Sequence, residues 1–479
     1  MDRILIAGGV VVTMDPKRRV IDDGAVAIAG DRIVEVGDAA ALRRKHAGAR
    51  VIEAARHAVL PGIIDCHAHA GHGLVKTMGA GAGFDAWSQA CETIYTTGSD
   101  EAFWRAEARL VALERLRCGV TTGVSYLGGG DSIMRTDDPR YGRAHAAGVD
   151  EIGIRAVVAV GPNRPPFPKT YATLDRGGRR EAMVSFEQQL ATCETLLQTV
   201  HGKGAGRVTV STTMPVYSDD LDQWSKDNVA LIAAQAKAVR ELGRRHGTTF
   251  TQDGHKHGSL AMAHEVFGLL GPDTYMSHSI DLTERDMAVA KETGTSIVHN
   301  PSAVMSIRGR CPVPELIDLG VNVALGSDGT APDRSADMFR HMFQCMHYHR
   351  RHFRDSNVLP PGKVLEMVTI DAARALNRER ELGSLEAGKK ADLILVDLFK
   401  PHLMPLNMPV YRVVCFANGA DVATVICDGR VRMEQRRLVD IDEAAILEDA
   451  QAQADAMLER TGLRELTANP PRLWGASRY

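Results

Sequence analysis

Pro61-Gly62-Ile63-Ile64-Asp65-Cys66-His67-Ala68-His69 is a short apolar run that ends in two imidazoles. Far downstream, Val323-Ala324-Leu325-Gly326-Ser327-Asp328-Gly329 is a second apolar run, and it ends in a carboxylate. Successive side chains on a strand point to opposite faces, so His67 and His69 point the same way. Two imidazoles on one face at the C-terminal end of a strand can grip a single divalent ion. Asp328, at the same end of the later strand, can supply an anionic oxygen. A lone His-x-His is weak evidence, since an arbitrary pair is more often two surface histidines. The matching acid-ended strand turns the reading toward a metal.

Between these runs the chain alternates strand and helix. Strands are expected at 59–66, 119–126, 154–160, 207–213, 248–253, 274–277, 295–299 and 322–327, most of them continuous apolar or Val/Thr-rich runs, as strands buried on both faces should be. Helical patterns fall between most of them, at 101–118, 184–200, 226–246, 284–293 and 363–376. Eight such strands point to an α/β chain with a (β/α)8 TIM-like barrel. An open doubly wound sheet is the competitor, weakened because no glycine-rich dinucleotide fingerprint follows the first strand. In a barrel, functional residues gather at the C-terminal strand ends, where His67, His69, Asp253, His278, His299 and Asp328 all fall. Short-strand patterns at 3–12, 24–29 and 32–36 return at 392–397, 413–417 and 423–427, which predicts one composite β-domain built by both chain ends, a sandwich by the resemblance set out below. The expected division is an N-terminal contribution to the sandwich over 1–57, the barrel over 58–382, a C-terminal contribution to the sandwich over 383–440, and a helix with a tail over 441–479.

The 479 residues are 44% hydrophobic and 24% charged, ordinary for a globular protein, with a net charge of −3 that gives no reason to expect nucleic acid or an anionic membrane as partner. No window approaches the roughly 20 apolar residues that span a bilayer, and the N-terminus lacks a long apolar signal core. Eight scattered cysteines without a Cys-x-x-Cys pair read as reduced, mostly buried thiols and hence a cytoplasmic location.

With those strand ends aligned, the chain resembles the amidohydrolase superfamily, and within it the cytosine deaminase-like and triazine hydrolase branch. The resemblance rests on Leu60 to His69, Gly119-Val120-Thr121-Thr122, Leu269-Leu270-Gly271-Pro272, and Ser277-His278-Ser279-Ile280-Asp281-Leu282. It continues through Gly294-Thr295-Ser296-Ile297-Val298-His299-Asn300-Pro301-Ser302, Gly326-Ser327-Asp328-Gly329, and Gly383-Ser384-Leu385-Glu386-Ala387-Gly388-Lys389-Lys390-Ala391-Asp392. It implies a barrel with a composite sandwich, one catalytic divalent metal (Zn first, Fe as the alternative), a small-molecule substrate, and a homodimer or homotetramer. Carried over residue by residue, it makes His67 and His69 the first-strand metal pair. It makes His278 the histidine that orients or deprotonates water, Asp328 a ligand and proton shuttle, and His299 a residue of the substrate pocket.

Two strands depart from the family pattern. On the fifth, a histidine ligand followed three residues later by a glutamate is expected, and Asp253 and Lys256 occupy those positions, with His255 the competing ligand two residues on. On the fourth, a histidine before proline is common, and Thr213-Met214-Pro215 stands there. Met214, His255 and Lys256 are therefore expected to face substrate, and simple aminopurine or pyrimidine deamination is put in question.

Three readings follow: a metal-dependent hydrolase of a non-peptide C–N bond in a cyclic or heteroaromatic substrate, deaminase-like; a hydrolase of an amide, urea or carbamate bond or of a chloro or alkylamino ring substituent; and a binding protein on a decayed scaffold. Four strand-end groups retained in order speak against decay. His341, His347, His349 and His352, on a helical pattern over 336–353, read as an ordinary interfacial helix face rather than a metal site.

Overall fold

The computed structural model describes residues 3–81, 83–129, 133–175, 177–218 and 225–478. Eight short parallel strands run in chain order around one sheet: Ile63–Asp65, Val120–Tyr126, Arg155–Val160, Val208–Thr213, Phe250–Gln252, Thr274–Ser277, Ser296–His299 and Val323–Leu325. The barrel nearly closes where the Cys66 N–H donates to the Leu325 carbonyl at 3.1 Å and the Asp328 N–H to the His67 carbonyl at 2.9 Å. Nearly every residue of these strands is buried, which is why they read as unbroken apolar or Val/Thr runs.

Alternation divides each strand between two cores. Ile64, Cys66, Val124, Tyr126, Val157, Ala159, Tyr275, Val298 and Ala324 form one cluster with Ala372, Ala373 and Leu376 from the helix Ile370–Ala375 and its C-terminal end. Ile63, Val120, Val158, Val210, Phe250, Met276, Ile297 and Val323 belong to the larger core that takes in the flanking helices. Cys66 is therefore core, its thiol donating to the Ala372 carbonyl at 3.6 Å.

The first expected strand is two strands. His57–Pro61 belongs to a nine-stranded sheet made from both chain ends, where it pairs with Arg3–Val12 on one side and Leu393–Asp397 on the other. Ile63–Asp65 starts the barrel, and the break falls at Gly62. A side chain there would put its Cβ 2.1 Å from Thr121 Oγ1, so only glycine lets the chain cross from one sheet to the other. Arg155, at the start of the third barrel strand, ties the two sheets together, donating to Asp392 at 2.7 Å and to Asp428 at 2.7 Å.

A second expectation is overturned at 413–417, where the pattern predicts a strand and the helix Pro409–Cys415 stands. Val-Val-Cys-Phe-Ala has strand propensity, but Pro409 sits at the helix start with a preset φ, and Val413 and Val414 bury into the main core. The pattern over 363–376 is likewise two helices, Pro361–Met367 and Ile370–Ala375, broken at Thr369. The hairpin of Lys169–Asp175 and Gly178–Val184 was not anticipated. Among the described residues no helix is long and apolar enough to cross a membrane.

Candidate metal centre

The C-terminal ends of strands one, five, six and eight deliver four buried side chains to one point. His67, Asp253, His278 and Asp328 each offer a ligand atom, and these atoms all lie within 4.8 Å of one another. Asp253 Oδ1 is 2.9 Å from His278 Nε2 and 3.2 Å from His67 Nε2. Asp328 Oδ1 is 3.4 Å from His67 Nε2 and 3.5 Å from His278 Nε2. His69 stands at the edge, its Nε2 3.2 Å from Asp328 Oδ1 and its Nδ1 3.1 Å from the Gly128 carbonyl. That carbonyl contact fixes the ring orientation in the manner of a metal-ligating histidine.

Local backbone explains the convergence. His278 and Asp328 follow their strands at positive φ (63° and 61°), a region costly for non-glycine residues that turns each side chain over the barrel mouth. Gly326 leaves room for His67, since a Cβ there would lie 2.7 Å from the His67 Cβ. Below the cluster, the fully buried Asp65 accepts from Arg115 Nη2 at 2.8 Å, from the Ser327 N–H at 2.9 Å and from Ser327 Oγ at 2.8 Å. It thereby staples the first strand to the eighth immediately beside His67 and Asp328. Ser277 Oγ donates to Asp253 Oδ1 at 3.1 Å and holds that carboxylate in place.

The electrostatics are those of a cation site. Burial alone would push both carboxyls up, yet Asp253 is held well below the usual carboxylate range by the His67 and His69 imidazoles, and Asp328 by Arg334 and His278. Burial pushes His67 down, but Asp253 and Asp328 outweigh it and lift the imidazole to about 9. The two carboxylates thus gather positive charge at the point where the four ligand atoms meet. The Nδ1 atoms of His67 and His278 are buried with no hydrogen-bond partner, and the Nε2 atoms of both face the two carboxylates. Acceptors already ionised and imidazole nitrogens without other work fit a divalent ion with mixed N/O ligands.

Where the fifth strand stops decides which of its side chains reaches the cluster. Phe250–Gln252 ends one residue before Asp253, and Gly254 at φ +93° turns the chain, so alternation does not extend to His255. The His255 ring is completely buried outside the cluster, with Nδ1 2.9 Å from Ser259 Oγ, and burial holds it down at about 3. Lys256 is exposed, and its backbone N–H donates to Ser259 Oγ at 2.9 Å, so the structure does not bring it to the cluster. Met214 packs in the main core, its carbonyl 3.3 Å from Gln252 Nε2. His299 ends the seventh strand fully buried, its ring 5.4 Å from that of His349.

Sequence reasoning missed Asp65 with Arg115, Ser277, and Arg334, whose Nη2 lies 3.6 Å from Asp328 Oδ2. The signal for Asp65 was present, a carboxylate inside an apolar run; Arg334 carried none. The His72 ring lies tilted 4.8 Å from that of His69 and edge-on 5.8 Å from that of Trp87, and burial with the neighbouring His69 holds its imidazole well below its usual range. On the helix Met338–Phe353, His347 and His352 are exposed, whereas His341 and His349 are buried. A cavity of about 700 Å³ lined by His201, Arg244, Arg378 and Lys390 opens at the other end of the barrel, beside the starts of the strands.

Comparison with known proteins identifies the family. The amidohydrolase family matches residues 58–432, and a bacterial imidazolonepropionase-like composite domain matches residues 24–49. A 5-methylthioadenosine/S-adenosylhomocysteine deaminase of Syntrophobacter fumaroxidans is 31% identical over 93% of this chain and 96% of its own length. A 5'-deoxyadenosine deaminase of Methanosarcina mazei is 27% identical over 96% of this chain and 99% of its own. Among solved structures, a zinc-bound adenosine deaminase from Xanthomonas campestris superposes with TM-score 0.79 at 24% identity, covering 95% of this chain and 98% of its own. A zinc complex of atrazine chlorohydrolase from Arthrobacter aurescens does so with TM-score 0.76 at 19% identity, covering 94% and 100%. Barrel, composite sheet, buried cluster and a relative above 30% identity over almost the whole chain lead to one assignment: the chain belongs to the amidohydrolase family.

Proposed function

We propose that this protein is a metal-dependent hydrolase that breaks a C–N bond at a ring carbon of a small heteroaromatic substrate. The convergence of His67, Asp253, His278 and Asp328 carries the proposal. These four, with His69 at the edge, would hold one divalent ion, Zn²⁺ first and Fe²⁺ as the alternative. Bound there, such an ion supplies a Lewis acid and lowers the pKa of a water from near 16 toward about 7. Asp328 accepts the proton given up by the attacking water, and Arg334 beside it keeps the carboxylate ionised and aimed. Asp328 then hands that proton to the departing nitrogen, while His278, its Nε2 3.5 Å from Asp328 Oδ1, would serve as a ligand. Water and substrate become the ring carbonyl and ammonia, so atoms and charge balance. His72 and Trp87 are proposed to wall the substrate side.

A second reading is favoured by one observation. Lys256 takes the position where the family resemblance leads to a glutamate, and it is exposed. No carboxylate from the fifth-strand loop then manages the proton on a ring nitrogen. A substrate whose leaving group departs without that help, such as a chloro or alkylamino ring substituent, suits the site in that case.

Both readings are tested with zinc-loaded protein. Ammonia release is measured from 5'-deoxyadenosine, 5-methylthioadenosine, guanine and cytosine, and chloride or amine release from substituted triazines. Ammonia from any of the first set establishes deamination. Release from the triazines alone establishes the second reading. No turnover on either panel by fully metallated protein would overturn both.

A further inference from the structure

A second group of soft ligands shares no residue with the barrel-mouth cluster. His299 at the end of the seventh strand and Cys345 and His349 on the helix Met338–Phe353 offer ligand atoms that all lie within 4.8 Å of one another. Cys345 and His349 are four residues apart, so the helix presents both on one face toward the strand end. All three side chains are completely buried.

What separates this group from an ordinary core is unmet hydrogen bonding. Both ring nitrogens of His299 and both of His349 are buried without a partner. Buried polar atoms are rarely left so, and four of them in two adjacent rings call for an explanation. His341, on the same helix, provides the contrast: its Nδ1 is 3.0 Å from Ser302 Oγ and its Nε2 is 2.8 Å from the Ser335 carbonyl. That imidazole is fully occupied by structure, whereas His299 and His349 are not.

We propose that His299, Cys345 and His349 form a binding site for a borderline-soft divalent ion of the Zn²⁺ class, distinct from the centre at the barrel mouth. Two imidazoles and a thiolate suit zinc, with bonds of about 2.0–2.1 Å to nitrogen and about 2.3 Å to sulfur. In a tetrahedral arrangement such bonds set the ligand atoms about 3.3–3.6 Å apart, so small side-chain rotations close the site. Binding displaces the Cys345 thiol proton to solvent, and the sulfur keeps its electron pair to form the bond. The ion would clamp the helix to the strand end behind the substrate pocket.

The test uses the full-length protein, stripped by a chelator and titrated with cobalt chloride. The barrel-mouth cluster contains no sulfur, so a sulfur-to-cobalt charge-transfer band in the near ultraviolet reports this site alone. The expected result is a band that saturates with a cobalt equivalent beyond the one held at the barrel mouth. It should vanish in Cys345→Ser and persist in Asp253→Ala. Zinc content measured on the same proteins should fall by one equivalent in Cys345→Ser. Absence of the band in the wild-type protein, with cobalt held at the barrel mouth, overturns the proposal without recourse to any variant. A band that survives Cys345→Ser, or that follows Cys311→Ser at the neighbouring buried thiol, also overturns it.

Discussion

Replacing Asp65 with asparagine should loosen both the fold and the metal centre, although Asp65 touches no ion in the proposed scheme. Its carboxylate is fully buried: Oδ2 accepts from Arg115 Nε at 3.2 Å, from Arg115 Nη2 at 2.8 Å and from Ser327 Oγ at 2.8 Å, and Oδ1 accepts from the Ser327 N–H at 2.9 Å. Asparagine keeps the shape but turns an NH2 toward one of these sets of donors and leaves the Arg115 charge unopposed. Breaking a buried pair in this way costs about 3–5 kcal/mol. Arg115 retains the Val124 carbonyl at 2.8 Å and Ser125 Oγ at 3.0 Å, which places the cost near the lower end, about 3 kcal/mol. At about 2.1 cal/mol/K per residue the unfolding entropy of a chain this long is on the order of 1 kcal/mol/K, so the apparent Tm should drop by roughly 3 °C. Zinc affinity should fall about 10- to 100-fold, as for other outer-sphere partners of a metal site, because Ser327 immediately precedes Asp328 and the His67 N–H lies 3.4 Å from Asp65 Oδ1. Thermal melts of the zinc-free and zinc-loaded variant, with zinc affinity from chelator competition, measure both effects. A variant with wild-type Tm and wild-type zinc affinity would show that the staple between strands one and eight does not position the centre.

Three further outcomes are expected. Asp253→Ala should lose most bound metal (a drop in affinity of at least about tenfold) while His255→Ala retains it, and elemental analysis that finds the reverse would reassign the fifth-strand ligand. His67, lifted from 6.5 to about 9, favours the metal-free fold fully below pH 6.5, and that contribution is lost as pH rises through about 9. The metal-free protein should therefore lose stability across that window while zinc affinity gains up to about tenfold per pH unit, and calorimetry in buffers of different ionisation enthalpy should detect the released proton. Deleting residues 1–55 should give insoluble protein, because it strips Arg3–Val12 from one edge of His57–Pro61; a soluble, metal-binding product would show that the barrel stands without the composite sheet.

The features legible in the sequence were those that depend on local periodicity. Unbroken Val/Thr/Ile runs marked the barrel strands, and metal-capable residues just past them marked its mouth. Contacts set by distant partners were not legible. The break at Gly62 depends on Thr121 and on pairing of His57–Pro61 with Leu393–Asp397, neither of which leaves a trace in 59–66 itself. Alternation placed Asp253 and His255 on one face and could not choose between them; the choice is made by Gly254, whose positive φ ends the strand geometry on which alternation rests. The spacing of Cys345 and His349 was visible, but the strand end they face lies some 50 residues earlier in the chain, and helix periodicity carries no information about it.

The fifth-strand substitution bears on more than ligand identity. In the proposed centre, with Asp253 and Asp328 both ionised and His67 and His278 as neutral ligands, the protein would contribute two negative charges, which would balance a divalent ion. A histidine in place of Asp253 would leave that ion with a net positive charge. A balanced centre acidifies water less and polarises substrate less, because the neighbouring carboxylate already satisfies some of the cation's field. The shortfall has to be met by the substrate or by the surrounding residues. The Arg334 guanidinium, 3.6 Å from Asp328, offsets some of the added negative charge without occupying a ligand position. The presence of Asp253 where a histidine is expected and the exposure of Lys256 thus push in the same direction. Both reduce the help available to a poor leaving group, and both favour a substrate whose ring carbon is already electron-poor or whose substituent departs readily.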